Sequence, residues 1–155
     1  MLDPFRDFLE KNSIWHEFLE KEDTRSVAKA SNASGIDSGS IVKSLVFLAD
    51  GERCLILLQG SRTVDRKKVR KLLRAENIAL ASPGQVLEAT GYEVGAVPPV
   101  GHATKLRCIL DTRAARLHDA WAGGGTKTRL VRLHMQDIVR LTGPRIADVS
   151  EEASH

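Results

Sequence analysis

The residue of this sequence best suited to chemistry is Lys43, a lysine inside an apolar segment. Residues 41–49 are otherwise apolar, apart from the serine that follows it. In a β-strand, alternation places Lys43 on the same face as Ile41, Leu45 and Phe47. An unpaired buried ammonium is costly, so such a lysine needs an anionic partner, a lowered pKa or a place in a ligand cleft. A lysine near the start of a strand can also reach solvent along its methylene stem, and both interpretations stay open.

A second candidate is the loop from Gly95 to Gly101, with the sequence Gly-Ala-Val-Pro-Pro-Val-Gly. Two adjacent prolines lack backbone donors and the glycines permit special dihedrals, so we expect an irregular loop of fixed shape. Such a loop can bind a ligand through its main chain, although it could equally be an idle turn. His102 follows the loop and could line a cleft, whereas His118 and His134 are interpreted as packed or exposed structural residues.

The usual motifs for hydrolysis are absent from the sequence. It contains no Gly-x-Ser-x-Gly elbow, no His-Glu-x-x-His and no cysteine beside a plausible base. The histidines show no ligand spacing, and the glycines at 123–125 fit neither phosphate-binding fingerprint. Cys54 and Cys108 lie in apolar segments and are interpreted as core thiols. We therefore expect no metal and no cofactor, and a reaction that needs little acid–base machinery from the protein.

Length and charge set broad limits on the function. The chain has 155 residues, a formal net charge of +3 and a pI of about 9.0, which suits an anionic partner without demanding one. No apolar run approaches the roughly 18 residues of a membrane span, and a signal-peptide pattern is missing, so we expect a cytoplasmic protein with no membrane partner. One stretch is strongly basic, and it could face phosphates or be the solvated face of a helix. Its residues are Arg62, Arg66, Lys67, Lys68, Arg70, Lys71 and Arg74.

Hydrophobic periodicity and turn signals predict a single α+β domain over residues 1–150, with a mixed, curved β-sheet covered by helices and a disordered tail at 151–155. The signals that bound the elements include Thr24 and Ser82 as helix caps and Asp50-Gly51 as a hairpin turn. The predicted helices are 4–11, 25–31, 63–74, 83–90 and 134–141. The predicted strands are 14–19, 41–49, 54–58, 78–81, 106–110, 117–122, 130–133 and 146–149.

Several of these segments, taken in order, resemble a known family. They are Ile-Val-Lys-Ser-Leu at 41–45, Ala-Thr-Gly-Tyr-Glu-Val leading into the glycine–proline loop at 89–102, Ile-Leu-Asp at 109–111, and the glycine turn at 123–125. The order is similar to that of the YbaK family, itself similar to the inserted editing domain of bacterial prolyl-tRNA synthetase. The resemblance covers nearly the whole chain. Its most specific parts are Lys43 and the Gly-x-x-x-Pro loop from Gly95 to Pro99.

The resemblance implies a trans-acting aminoacyl-tRNA deacylase that needs no metal. Lys43 would be the essential residue, holding the phosphate or ribose of the tRNA 3′ end. The loop from Gly95 to Pro99 would contact the aminoacyl group through its backbone, and a hydroxyl of the substrate would help to activate water. Ser44 would border the pocket, with Gly101 and His102 on its rim. Arg66, Lys67 and Arg70 are the expected phosphate contacts.

The same resemblance implies that the partners are the acceptor end of a tRNA, with tRNA-Pro expected, and an aminoacyl-tRNA synthetase if one recruits the chain. At the glycine turn the best-known bacterial branch has a serine where this chain has Gly123, followed by Thr126 and Lys127. The amino acid removed therefore stays open among cysteine, alanine, serine and threonine. Two alternatives remain: a non-catalytic RNA-binding or synthetase-associated module, and a hydrolase of another small ester.

Overall fold

The computed structural model describes residues 2–20, 30–31 and 34–153. This part of the chain forms α-helices around one large mixed sheet, which confirms the predicted α+β class. The helices are α1 (Pro4–Lys11), α2 (Arg66–Leu73), α3 (Pro83–Thr90), α4 (Thr112–Ala115) and α5 (Met135–Thr142). The strands are β1 (Glu17–Glu20), β2 (Ile41–Ala49), β3 (Glu52–Gln59), β4 (Arg62–Val64), β5 (Ile78–Leu80), β6 (Arg107–Asp111), β7 (Asp119–Gly123), β8 (Arg129–His134), β9 (Arg145–Ala147) and β10 (Ser150–Glu152).

The main sheet has the strand order β1-β8-β7-β2-β3-β6-β9, and β5 pairs separately with β2. The predicted hairpin of β2 and β3 is confirmed, with Asp50 and Gly51 both at positive φ (48° and 83°), as a two-residue hairpin turn requires. The pairs β2–β7, β3–β6 and β6–β9 are parallel, whereas the others in this sheet are antiparallel. A strand at the centre of the sheet, β2, carries Lys43.

The two faces of the sheet are covered by different helices. On one face, buried residues of α1, α3 and α5, among them Phe5, Val86 and Ile138, pack with Val42 and Val46 of β2. On the other face, Val69 of α2 packs with a cluster that includes Phe47. Because side chains alternate along β2, Lys43 lies on the face that α2 covers.

The basic segment forms both a strand and a helix, which corrects the prediction of one helix over 63–74. Arg62–Val64 pairs with β10, and Asp65 then caps α2 by accepting hydrogen bonds from the amides of Lys67 and Lys68. The same pairing places Glu151 and Glu152 in β10, so the start of the expected disordered tail is a strand. A sequence pattern for a helix was overridden here by pairing with a segment more than eighty residues away.

Two further findings concern the N-terminal region and the search for membrane-spanning helices. The strand expected over 14–19 is confirmed as the shorter β1, whereas residues 25–29 of the helix expected after Thr24 lie outside the described residues. Within the described segments, no helix is long and apolar enough to cross a membrane.

Candidate active site

Strand β3 pairs along one edge of β2, and the other edge of β2 is paired at its two ends and open in the middle. Parallel β7 pairs with Ile41 and Val42, and antiparallel β5 pairs with residues 47–49. One further bond, from the amide of Ala81 to the carbonyl of Val46 (3.0 Å), continues the β5 side. Across residues 43–45, no strand of the described chain covers this edge, so the sheet has a gap beside Lys43.

The main chain of Ser44 is directed into this gap. The Ile41 carbonyl accepts from Gly60 (2.7 Å) on the β3 side, whereas the Val46 carbonyl points to the open side. Since hydrogen-bonding direction alternates along a strand, the N–H and C=O of Ser44 also point to the open side. The Ser44 hydroxyl is buried and has no hydrogen-bond partner among the described residues. An unsatisfied buried hydroxyl typically costs about 1–3 kcal/mol. Ser44 therefore presents three groups that a ligand could satisfy, its N–H, its C=O and its hydroxyl.

A cavity of about 380 Å³ occupies the gap, within the size range of small-molecule sites. Its walls are mostly aliphatic, with Lys43 and Ser44 from β2 and the backbone of Gly95 and Gly123 as the other contributions. The aliphatic lining residues are Ala30, Ile41, Val42, Leu45, Val46, Leu80, Ala81, Val86, Val94, Val97 and Leu130. A small, largely apolar group fits this lining.

Lys43 is the one cationic residue among the described residues of this lining. It is half-buried, and that burial lowers the pKa of its ammonium below the usual value. No carboxylate in the described part of the chain pairs with it. An ammonium in such a place stabilises an anionic ligand strongly, because the low dielectric of the cavity strengthens the attraction.

The predicted loop forms another wall of the cavity and is fixed from behind. Gly95 lines the cavity and has φ of 88°, a conformation that favours glycine. Pro99 is buried, and a side chain at Gly101 would approach the Phe8 ring to 2.8 Å. His102 donates from Nε2 to the Pro98 carbonyl (2.6 Å), and burial lowers its pKa. Among the described residues, then, Gly95 contacts the cavity while Pro99, Gly101 and His102 hold the loop and lie outside its lining.

The glycine turn packs directly against this loop. The amide of Gly125 donates to the Ala96 carbonyl (3.0 Å). A Cβ atom at Gly123 would overlap the Val97 carbonyl oxygen and lie 3.1 Å from its carbon. Position 123, where the related branch carries serine, has no room for a side chain here unless the loop moves.

A buried arginine, which the sequence did not single out, anchors the glycine turn. Arg129 donates through Nε to the Gly124 carbonyl (2.8 Å) and through both terminal nitrogens to Asp3 (2.6 and 2.9 Å). It also lies over the Phe18 ring, 4.1 Å from the centroid. The guanidinium holds the pKa of Asp3 far below its usual range. This ion pair ties the N-terminus of α1 to the turn that supports the loop.

The three predicted phosphate contacts lie on α2 and are exposed to solvent. Arg66, Lys67 and Arg70 are all exposed, and the Arg66 guanidinium lies over the Phe47 ring at 5.5 Å. They share the sheet face of Lys43 but do not line its cavity. Lys68, by contrast, is bound to Asp148 (3.0 Å) and has a structural role.

A second group of titratable residues comes together at the end of the β7–β8 pair. The register sets Asp119 opposite His134, and Asp119 Oδ1 lies 2.6 Å from His134 Nδ1 and 3.0 Å from His118 Nδ1. Arg132 pairs with the other oxygen of the same carboxylate (2.9 Å). The hydrogen bond from His134 is the main cause that lowers the pKa of Asp119. The spacing of these residues along the sequence gave no signal, because strand register brings them together.

The open edge of the sheet, the lysine in an apolar cavity and the glycine–proline loop beside it together form a candidate site for a small ligand. Residues 21–141 match the aminoacyl-tRNA editing domain, and the chain therefore belongs to this family. The family assignment made from the sequence is thus confirmed.

Similar proteins include proline–tRNA ligases and small proteins of solved structure. The ligase of Oleidesulfovibrio alaskensis is 34% identical over 82% of this chain, and that of Leuconostoc citreum is 31% identical over 95% of it. The chain spans only 22% and 27% of these two ligases. A solved structure described as a candidate trans-editing enzyme for prolyl-tRNA synthetase is 34% identical, with a TM-score of 0.83, and the match covers 97% of this chain and 99% of that one. A hypothetical protein aligns with a TM-score of 0.87 at 27% identity, over 96% of this chain and 100% of its own.

Proposed function

We propose that the chain is an aminoacyl-tRNA deacylase that acts in trans, in the cytoplasm, on tRNA-Pro carrying a small wrong amino acid. The observation that supports this most is the ammonium of Lys43, which no described carboxylate pairs with, in a mainly apolar cavity at the open edge of β2. Action in trans is also supported by a similar solved structure, 34% identical, which is described as a candidate trans-editing enzyme for prolyl-tRNA synthetase.

Lys43 would hold the 3′-terminal nucleotide. Its half-buried ammonium has no carboxylate partner in the described chain, so a phosphate or ribose oxygen would satisfy it. Charge-assisted hydrogen bonds of this kind are roughly twice as strong as neutral ones. The proposed role is binding and electrostatic positioning of the terminal nucleotide.

The main chain would position the ester. The N–H of Ser44 points into the gap, and the backbone of Gly95 lines the same cavity. Oriented donors of this kind stabilise the negative charge that develops on a carbonyl oxygen during hydrolysis. The Ser44 hydroxyl, unsatisfied among the described residues, is available to the aminoacyl group.

The water would be activated by the substrate. Among the described residues that line the cavity there is no carboxylate and no histidine, and His102 is occupied by the Pro98 carbonyl. A hydroxyl of the terminal ribose next to the ester can orient the water instead. Positioning then accounts for most of the rate enhancement.

The cavity wall suggests an order of preference among the small amino acids. Its aliphatic lining favours alanine and cysteine. An apolar pocket rejects an added hydroxyl only weakly, by about 10²-fold at most, so serine and threonine esters would be slower substrates and not excluded ones.

The direct test is deacylation of tRNA-Pro charged with alanine, cysteine, serine or threonine, by the wild type and by Lys43→Met. Loss of a charge-assisted contact of about 1.5–3 kcal/mol predicts a fall in kcat/KM of roughly 10- to 150-fold. Lys105→Met, at an exposed lysine outside the cavity lining, is the matched control and should keep wild-type activity. Full activity in Lys43→Met would remove Lys43 from the site. Wild-type binding of tRNA without turnover of any ester would favour the alternative, a non-catalytic RNA-binding or synthetase-associated module.

A further inference from the structure

A second cavity, of about 480 Å³, lies beyond the C-terminal end of α2. It is lined by Leu72, Leu73, Arg74, Arg107, Ile109 and Arg145. Three of these six residues are arginines, and none of the described lining residues is acidic. The cavity is separate from the Lys43 site, with which it shares no lining residue.

Three different elements bring these arginines to one face of the sheet. Arg145 of β9 lies opposite Ile109 of β6, and Arg107 is two residues before Ile109, so all three point to the face that α2 covers. Arg74 ends α2 in a left-handed conformation, with φ of 53°. Arg145 also donates to the Leu72 carbonyl of α2 (3.4 Å), which links the strand edge to the helix.

No described carboxylate forms a salt bridge with Arg74, Arg107 or Arg145, and none lines this cavity. The carbonyl end of α2 carries a partial negative charge, but that compensates only a fraction of one guanidinium. Guanidinium groups present several donors in a planar fork that matches the oxygens of a phosphate. A phosphate diester is therefore the ligand that fits best.

The position of the cluster indicates which phosphate would reach it. Arg107 lies opposite Cys54 of β3, and Cys54 lies opposite Phe47 of β2, so Arg107 is about 10 Å to the side of Phe47. Lys43 lies about 13 Å from Phe47 along β2, and Arg66 at the start of α2 lies over Phe47. The distance from Lys43 to Arg107 is therefore about 16 Å, or roughly five stacked nucleotides at about 3.4 Å each, which extends past a short unpaired 3′ tail to the start of a paired stem.

We propose that Arg74, Arg107 and Arg145 bind backbone phosphates of the acceptor stem of the tRNA whose 3′ end enters the Lys43 cavity. The proposal rests on the proposed function for the identity of the RNA. It assigns the two cavities to two parts of one ligand, joined by the exposed basic side of α2.

The test measures binding of an acceptor-stem minihelix by fluorescence anisotropy at a series of salt concentrations. The variants are Arg74→Gln, Arg107→Gln, Arg145→Gln and the triple variant. Arg116→Gln is the control, because Arg116 is also exposed but follows α4 at the opposite end of β6 from Arg107. Thermal unfolding checks that the triple variant remains folded.

We expect the triple variant to bind the minihelix more weakly and with a shallower salt dependence. Each lost phosphate contact lowers the slope of log K against log salt by about 0.9, so the triple variant should lose about 2 to 3 units of slope. Arg116→Gln should keep the wild-type slope. An unchanged slope and affinity in the folded triple variant would overturn the proposal.

Two further measurements separate this proposal from the deacylase itself and from a free-anion site. An aminoacyl ester of the terminal trinucleotide should be hydrolysed equally by the wild type and the triple variant, while KM for the minihelix rises in the variant. A wild type that hydrolyses neither ester refutes the deacylase but leaves the binding result interpretable.

Inorganic phosphate that stabilises the wild type and not the triple variant, together with equal minihelix binding by both, would show a free-anion site and overturn the RNA assignment.

Discussion

Replacement of Gly123 by alanine tests the contact between the glycine turn and the Gly95–Gly101 loop. The added Cβ would overlap the Val97 carbonyl oxygen and approach its carbon to 3.1 Å, where ordinary contacts are 3.4–4 Å. The backbone fixes the position of the added Cβ, and the atoms that it meets are backbone, so no side-chain rotation can relieve the contact. The loop has to move away from β7, and the wall of the cavity moves with it.

Overpacking of this kind typically costs about 1–3 kcal/mol. For a chain of this length each kcal/mol lowers Tm by roughly 2–4 °C, so we expect Gly123→Ala to lower Tm by about 2–12 °C. Thermal unfolding gives this value, and deacylation of the preferred ester should show a lower kcat/KM, because Val97 and Gly95 both line the cavity.

Gly84→Ala is the matched control. Gly84 lies in α3, and an added Cβ meets nothing within 4 Å. Alanine is the better helix former by about 1 kcal/mol, so this variant should be at least as stable as the wild type and equally active. If Gly123→Ala behaved like Gly84→Ala in both assays, the close contact between turn and loop would not exist in solution.

Other predictions concern ion pairs and the two cysteines. Asp3→Asn keeps an acceptor at the start of α1 but leaves the Arg129 guanidinium, 4% exposed, without its anion. We expect a loss of about 2 kcal/mol in urea unfolding, below the full cost of a broken buried pair because Asp3 is 27% exposed, and an unchanged midpoint would contradict this. The pKa of Asp3 is lowered by Arg129 and that of Asp148 to about 2 by Lys68 and Arg113, so their stabilisation is present above the unfolded pKa of about 4. This stabilisation should be lost progressively as the pH falls below about 5. The loss should be smaller in Asp3→Asn, because the variant lacks the contribution of Asp3. Burial raises the pKa of Cys54 to about 11 and of Cys108 to about 12, so thiol reagents at pH 8 should label both only on unfolding, and rapid labelling of the native protein would contradict their burial.

Local signals in the sequence predicted those parts of the fold that local interactions determine. The β2–β3 hairpin depends on Asp50 and Gly51, and α3 begins with the capping box of Ser82 and Gln85, and both were predicted. The segment at Arg62–Val64 was predicted as helix because its partner, β10, is distant in the sequence.

In the candidate site, too, the sequence revealed what is local and missed what depends on distant parts of the chain. Lys43 could be found from the sequence, since a charged residue in an apolar strand is a local anomaly. The orphan hydroxyl of Ser44 could not, because it depends on β5 and β7 leaving the edge of β2 open between them. Arg129 was likewise missed, since its partner Asp3 is 126 positions away.

The gap in the sheet also explains why neighbouring residues of one strand can serve one ligand. Side chains of Lys43 and Ser44 point to opposite faces of β2, and in a closed sheet they would be separated by the backbone. Here no described strand covers that edge, so both residues line the same cavity, with the backbone of Ser44 between them. The described residues leave this ammonium and this hydroxyl without partners, which is unfavourable, and a bound ligand that satisfies them recovers that free energy. The affinity for the 3′ end of a tRNA would therefore come from groups that folding alone leaves unsatisfied.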